Sequence, residues 1–320
     1  VIVLGLCLLT TNPFFERPIL VGAHRGGLFE APENTITAFR TCAKKWPDVL
    51  LHVDARMTVD GEVVLFHDDT LNRTTDAAGT VKRLKASELF QLDAGYHFSN
   101  DGGKTFPFRS RGVRVPTLRD ALSAMPKQRW MIELKDGCDP DRVIGIIQEA
   151  KAEDRTLVSS YGSSAMVRMR ELAPKVARCF DFAAILRLLT ALRGEDWEEY
   201  QPRDQVLSLL SEQIVQYGLT LDEIQTIRRK GIFVQIHVLN TSSDIRRWLD
   251  TGVDSILSDR PSLLAAEVSR RQKERLQLSV SKDDDGGSND RNAGVNPAVS
   301  EALESRAHAC KSDRRSGSGR

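Results

Sequence analysis

The sequence predicts an α/β fold, a TIM-type (β/α)8 barrel, and three observations carry that prediction. Strand-like apolar runs alternate with helical patterns along most of the chain, the mark of a parallel sheet covered by helices. The strand candidates centre near residues 20, 52, 64, 132, 158, 179, 208, 236 and 256. That series suits an eight-stranded barrel with one extra or hairpin strand. The phosphate loops of an open, doubly wound sheet, the alternative architecture, are missing: His24-Arg-Gly-Gly-Leu-Phe-Glu30 is not GxGxxG, and no Walker-type GxxxxGK[ST] occurs.

The chain begins with the apolar run Val1 to Leu9. It is shorter than the about 20 residues of a membrane span, and no Met or basic flank precedes it. Residues 1–18 therefore read as the remnant of an anchor or signal, with a buried segment before the barrel as the other reading. Membrane association or export follows from the first and a cytoplasmic protein from the second.

A strand is expected over Ile19 to Ala23, ending on His24. Glu33 to Lys45 reads as a helix because Ile36, Phe39, Ala43 and Trp46 recur at helical spacing, with Pro32 at its entry. In the strand Leu50 to Ala55, period-two alternation sends His52 and Asp54 to one face and Val53 to the other. Asp60-Gly61 signals a turn into a strand over Glu62 to Phe66, which leads to His67. The polar stretch that follows is long for a connection and reads as a lid or insertion over about residues 76–112, with a short helix at Ala86 to Leu92. Its Tyr96, Phe98, Phe106 and Phe108 suit either an apolar cover for an acyl chain or packing against the barrel.

Thr117 is placed to cap a helix through Leu122, and the strand Trp130 to Leu134 sends Glu133 and Lys135 to one face. Helices are then expected over Asp141–Ala152, Ser163–Leu172, Ala183–Arg193, Leu221–Lys230, Ser243–Asp250 and Ser262–Glu274. Strands over Thr156–Ser160, Val176–Phe182, Val206–Leu210, Phe233–Leu239 and Ser255–Leu257 alternate with them. The barrel is bounded at 19–275. Residues 276–320 are poor in apolar side chains and read as a disordered tail.

With 45 basic and 44 acidic side chains, the balance carries no polyanion signal, and nucleic-acid binding is disfavoured. The five cysteines lack CxxC or metal-finger spacing, which argues against a disulfide scaffold and a redox site. What the strand ends deliver is more specific: His24, Arg25, His52, Asp54, His67, Glu133 and Lys135. Acid/base groups, metal ligands and cations converging in this way are the chemistry of a phosphoester, not of a packed core.

The motifs His24-Arg-Gly, Pro32-Glu-Asn-Thr35, Val53-Asp54, Asp60-Gly61, His67-Asp68, Leu71 with Arg73-Thr-Thr75, Glu133-Leu-Lys135 and Gly252-Val-Asp-Ser-Ile-Leu-Ser-Asp-Arg-Pro261 occur in that order. Together they closely resemble the glycerophosphodiester phosphodiesterase family, over about Leu20 to Ala265. The resemblance implies a β/α barrel that hydrolyses glycerophosphodiesters, with lysophospholipids as the alternative substrates. It implies that His24 and His67 are the catalytic pair, Arg25 and Lys135 the phosphate-binding cations, and Asp54 and Glu133 two of three metal-binding acids. Glu33 and Asn34 are implied as orienting residues and Asn240 as an organiser of the rim.

The third acid does not match, because His52 stands where the family usually has Glu. The resemblance implies one divalent ion, Mg²⁺ or Ca²⁺, and an imidazole ligand shifts preference toward Mn²⁺ or Zn²⁺. The other reading of His52 is a site that has lost its metal, leaving a catalytically quiet barrel that binds a phosphoryl ligand. If His52 is a ligand, its second ring nitrogen is expected to donate to a carbonyl, carboxylate or water. A second departure is His237, at a place commonly held by Trp near the leaving group, which reads as a substrate contact or as a half-buried histidine with one hydrogen bond.

Overall fold

Strand β2 (Leu50–Met57) organises the sheet, since every position from Leu50 to Ala55 is buried. It pairs in parallel with β1 (Val21–Ala23) on one side and β4 (Arg129–Leu134) on the other, in a register that sets Asp54 opposite Glu133. From β4 the parallel order continues through β5 (Thr156–Ser159) to β6 (Ala177–Arg178). From β1 it runs through β9 (Ser255–Ser258) and β8 (Phe233–His237) to β7 (Val206–Leu210). The remaining strand, β3 (Val63–Leu65), pairs antiparallel with β2 as the expected hairpin strand. This computed structural model describes residues 12–18 and 21–284, so the apolar run at 1–9 and the tail from 285 lie outside the described residues.

A bridge between Cys179 and Val206 brings β6 to β7 and nearly closes the (β/α)8 barrel, with Phe180 N donating to Val206 O at 2.9 Å and Gln205 N to Arg178 O at 3.0 Å. This seam is also tied by side chains: the fully buried Asp204 accepts from Arg170 Nη2 at 2.6 Å and from Arg178 Nε at 3.1 Å. The strand expected over Val176–Phe182 contracts to two residues because Asp181 becomes a helix cap. It accepts from Ala184 N at 2.8 Å and starts the helix Phe182–Arg193.

Other boundaries shift for similar local reasons. The first barrel helix begins at Ile36 rather than Glu33, because the Thr35 hydroxyl accepts from Ala38 N at 3.2 Å and frees 32–34 to form a loop. The last helix, Pro261–Asp284, runs past residue 276, where the tail was expected to begin. No Gly or Pro interrupts it before Gly286, and Leu264, Ala265 and Val268 bury its first turns. Two compact units are distinguished, Val1–Arg270 and Arg271–Arg320, and the barrel is the first of them.

At the N-terminal ends of the strands, Phe14 is buried with Leu50, Met131, Leu157, Ala177 and Val206. Arg129 holds this base by donating to Arg17 O at 2.8 Å and Pro18 O at 2.9 Å. Residues 12–18 thus lie at the pole opposite the strand ends that carry the expected site. Among the described residues no helix is long and apolar enough to cross a membrane.

The insertion packs Val81, Leu89 and Ala94 against Val64, Phe66 and Leu71 beside the hairpin. Its aromatics are engaged with one another: the Arg109 guanidinium lies 4.2 Å from the Tyr96 ring and 3.9 Å from the Phe106 ring, and Phe98 meets Phe108 edge-on. Phe108 also packs against the barrel core, as one of the two readings of this segment expects.

Candidate active site

The tight turn after β1 carries His24 and Arg25. Arg25 itself sits at φ 52°, and Gly26 and Gly27 follow at 85° and 88°, a left-handed run that favours glycine. A Cβ on Gly26 would meet the Phe39 ring at 2.8 Å, so this turn presses directly on the first barrel helix. His24 donates through Nδ1 to Asp259 Oδ1 at 2.7 Å, and Asn240 Nδ2 donates to the other oxygen of Asp259 at 2.7 Å. Asn240 Oδ1 in turn accepts from Asp259 N at 3.0 Å, which ties the chain after β8 to the chain after β9.

His67 repeats the device after β3. Its Nδ1 donates to Asp68 Oδ1 at 2.6 Å, and its carbonyl accepts from Arg56 Nε at 2.8 Å. Both histidines therefore keep Nε2 free of the carboxylate that orients the ring. Burial lowers the pKa of each below the ordinary histidine value, with Asp259 opposing the shift at His24 and Asp54 and Asp68 opposing it at His67. Burial alone would raise the Asp68 carboxyl, but its hydrogen bonds from Arg73 and His67 hold it at about 2.

Between the two histidines lie His52, Asp54 and Glu133, brought together by the alternation along β2 and by the β2–β4 register. One donor atom from each falls within 4.8 Å of the others. His52 Nε2 approaches Glu133 Oε2 at 3.3 Å, and its ring centroid is 5.0 Å from that of His24. Among the described residues no carbonyl or carboxylate hydrogen-bonds the other ring nitrogen, the buried His52 Nδ1. Asp54 accepts from Asn34 Nδ2 at 2.8 Å and donates its own N–H to Asn34 Oδ1 at 3.1 Å. Asn34 reaches this position at φ 54°, a conformation that asparagine tolerates.

The Lys135 ammonium stands between the acids, 2.5 Å from Glu133 Oε1 and 3.0 Å from Asp54 Oδ1, and Arg25 Nε lies 3.5 Å from Asp54 Oδ2. Burial would raise both carboxyls, but His52 and Lys135 outweigh it at each, with Arg25 adding to the effect at Asp54, and hold both well below the usual range. An imidazole and two ionised carboxylates in this space are a donor set that fits one divalent cation. The ammonium already bridging the acids shows that the pocket accommodates positive charge.

His237, at the end of β8, donates Nδ1–H to Ser208 Oγ at 3.1 Å, because the Ser208 proton goes to Gln235 Oε1 at 2.8 Å. This satisfies one ring nitrogen, as the half-buried reading required. Burial and the neighbouring His52 and His24 push its pKa down to about 3. A group depressed in the fold weakens stability as pH falls through its unfolded value, here from about 6.5 down to about 3, because the unfolded chain takes up the proton first. We therefore expect His237→Gln to move acid unfolding, followed by circular dichroism, to lower pH than in the wild type. An unchanged midpoint would remove His237 as a source of acid lability.

Three participants were quoted in sequence motifs without a role: Asp68, Arg73 and Asp259. The signal for Asp68 was its place beside His67, whereas Asp259 lies 235 residues from its partner His24.

A near-closed parallel barrel with this arrangement at its C-terminal strand ends falls within the phosphodiester-cleaving barrel hydrolases. The chain belongs to the glycerophosphoryl diester phosphodiesterase family, whose model matches residues 24–263, and is an enzyme of that class. It is 28% identical over 254 residues to a glycerophosphodiester phosphodiesterase of Caldanaerobacter subterraneus subsp. tengcongensis, covering 77% of this chain and 96% of that protein. A crystal structure of a glycerophosphodiester phosphodiesterase from Agrobacterium tumefaciens str. C58 is similar at a TM-score of 0.61 and 25% identity, covering 77% of this chain and 99% of that one. An Oleispira antarctica phosphodiesterase, solved in complex with the product sn-glycerol-3-phosphate, shares the fold at a TM-score of 0.64 and 24% identity, covering 79% of this chain and 97% of that one.

Proposed function

We propose that the protein hydrolyses glycerophosphodiesters to an alcohol and glycerol phosphate by a two-histidine acid/base mechanism assisted by one divalent ion. The observation that carries this reading is the duplicated histidine–aspartate pair, His24 with Asp259 and His67 with Asp68, flanking the donor set of His52, Asp54 and Glu133. Each carboxylate fixes its ring so that Nε2 is the atom that exchanges a proton with the reacting groups. One histidine withdraws a proton from the nucleophile, which is water or the substrate's neighbouring hydroxyl through a cyclic phosphate. The other protonates the departing alcohol. Arg25 and Lys135 offset charge on the phosphoryl oxygens. A divalent ion held by His52, Asp54 and Glu133 would supply Lewis-acid polarisation of the phosphoryl group. Mg²⁺ or Ca²⁺ is the expected ion by family, with Mn²⁺ or Zn²⁺ favoured by the imidazole.

The direct test is release of glycerol phosphate from glycerophosphocholine by the purified protein with Mg²⁺, Ca²⁺, Mn²⁺ or Zn²⁺. Steady, metal-dependent release supports the proposal. Binding without product under every ion would leave only a quiet phosphoryl-binding barrel.

A specific observation favours lysophospholipids as a second substrate class. Tyr161, Phe182, Leu186 and Val215 are 62%, 51%, 45% and 78% exposed, and they follow β5, β6 and β7 at the catalytic end of the barrel. Ser163 Oγ donates to Asp181 Oδ1 at 3.3 Å, which ties the first two of these segments together. Full burial of one such side chain contributes about 1.5–3 kcal/mol. Tyr161→Ser with Phe182→Ser is thus expected to lower kcat/KM for lysophosphatidylcholine by about tenfold or more, with glycerophosphocholine turnover unchanged. Equal loss on both substrates would count against an acyl contact there.

A further inference from the structure

We propose that Arg73 is a positioning residue that couples the phosphate-facing Arg25 to His67 through a shared guanidinium. It stands in the turn Leu71–Thr75, where Thr75 donates both N–H and hydroxyl to Leu71 O, at 3.1 and 2.9 Å, over a buried Leu71. From that turn, Nη1 and Nη2 fork onto Glu33 at 2.6 and 2.8 Å, while Nε and Nη2 grip Asp68 at 2.7 and 3.1 Å. Each carboxylate has a second duty. Glu33 Oε1 accepts from Arg25 Nη1 at 3.2 Å, and Asp68 Oδ1 accepts from His67 Nδ1 at 2.6 Å.

One planar group thus sets the orientation of both carboxylates, and through them of a cation and an acid/base ring that come from different strands. A guanidinium presents donors along two edges in a fixed plane, which an ammonium cannot reproduce. Without Arg73, Glu33 keeps a single contact to Arg25, and Asp68 is free to rotate with the His67 ring. The Arg73 side chain is 45% exposed, so its ion pairs add little to stability, whereas misplacing reacting groups by an ångström costs rate. Its value is therefore geometric.

The inference rests on the roles proposed for Arg25 and His67, and the experiment separates the two. Steady-state kinetics on glycerophosphocholine would compare wild type with Arg73→Ala, Arg73→Lys, Glu33→Gln and Asp68→Asn, and with the double variants Glu33→Gln/Arg73→Ala and Asp68→Asn/Arg73→Ala. Arg25→Ala and His67→Ala serve as controls. Arg73→Ala is expected to lower kcat/KM by about 10²-fold, with Glu33→Gln reproducing mainly the rise in KM and Asp68→Asn mainly the fall in kcat. Each double variant should be no worse than about threefold below its weaker single, because the members act as one unit. Added guanidinium ion should restore part of the Arg73→Ala activity, and Arg73→Lys should not behave as wild type. Additive losses, no rescue by guanidinium, or wild-type kinetics in Arg73→Ala while the two controls are impaired would each overturn the coupling. Wild-type kinetics in Arg25→Ala and His67→Ala would instead overturn the proposed roles on which it rests.

Discussion

His24→Ala and His67→Ala are each expected to lower kcat by about 10²-fold or more while the barrel remains folded. The size follows from what is removed: a proton-transfer group already oriented by a carboxylate at 2.7 or 2.6 Å. Neither ring fills the apolar core, so truncation leaves no large cavity, and thermal unfolding of each variant serves as the control. The carboxylates separate orientation from chemistry. Asp259→Asn keeps a polar side chain near His24 Nδ1 but no longer fixes the tautomer, and its loss should be substantial yet smaller than that of His24→Ala. Unchanged turnover in either purified histidine variant would remove the two-histidine mechanism.

The second large effect concerns His52. The donor set has two carboxylates where the family has three, and Lys135 and Arg25 already face those two. Coulomb attraction for a hard dication is correspondingly reduced, while the imidazole still offers a lone pair. Two variants divide these contributions. His52→Glu restores a negative charge and should strengthen dependence on Mg²⁺ or Ca²⁺. His52→Ala should weaken binding of every activating ion by about 10-fold or more, as loss of a group that holds or orients a metal does. Calorimetric titration of each ion into wild type and both variants reads this without reference to turnover. Indistinguishable affinities across all three proteins would exclude His52 as a ligand.

The sequence by itself determined the order of the strand-end motifs, the barrel class and the residue types delivered to the strand ends. These are local properties: period two fixes that His52 and Asp54 share a face, and a histidine just beyond an apolar run falls at a strand end whatever the rest of the chain does. Thr117 marks a helix start for the same reason, since capping involves only the next three residues. Only the tertiary structure decided which groups meet. Asp54 faces Glu133 because of the β2–β4 register, and Asp259 reaches His24 because β9 lies beside β1. The length of β6 was likewise set elsewhere, by Asp181 capping a helix and by a seam held through Asp204. The insertion's aromatics carried no sign of their partners, and they turned out to pack around Arg109 and Phe108. Arg73 is the clearest case, because its link to Glu33 spans 40 residues. Propensity and periodicity act over a few residues, whereas register, near-closure of the barrel and shared hydrogen-bond partners depend on the whole chain being folded.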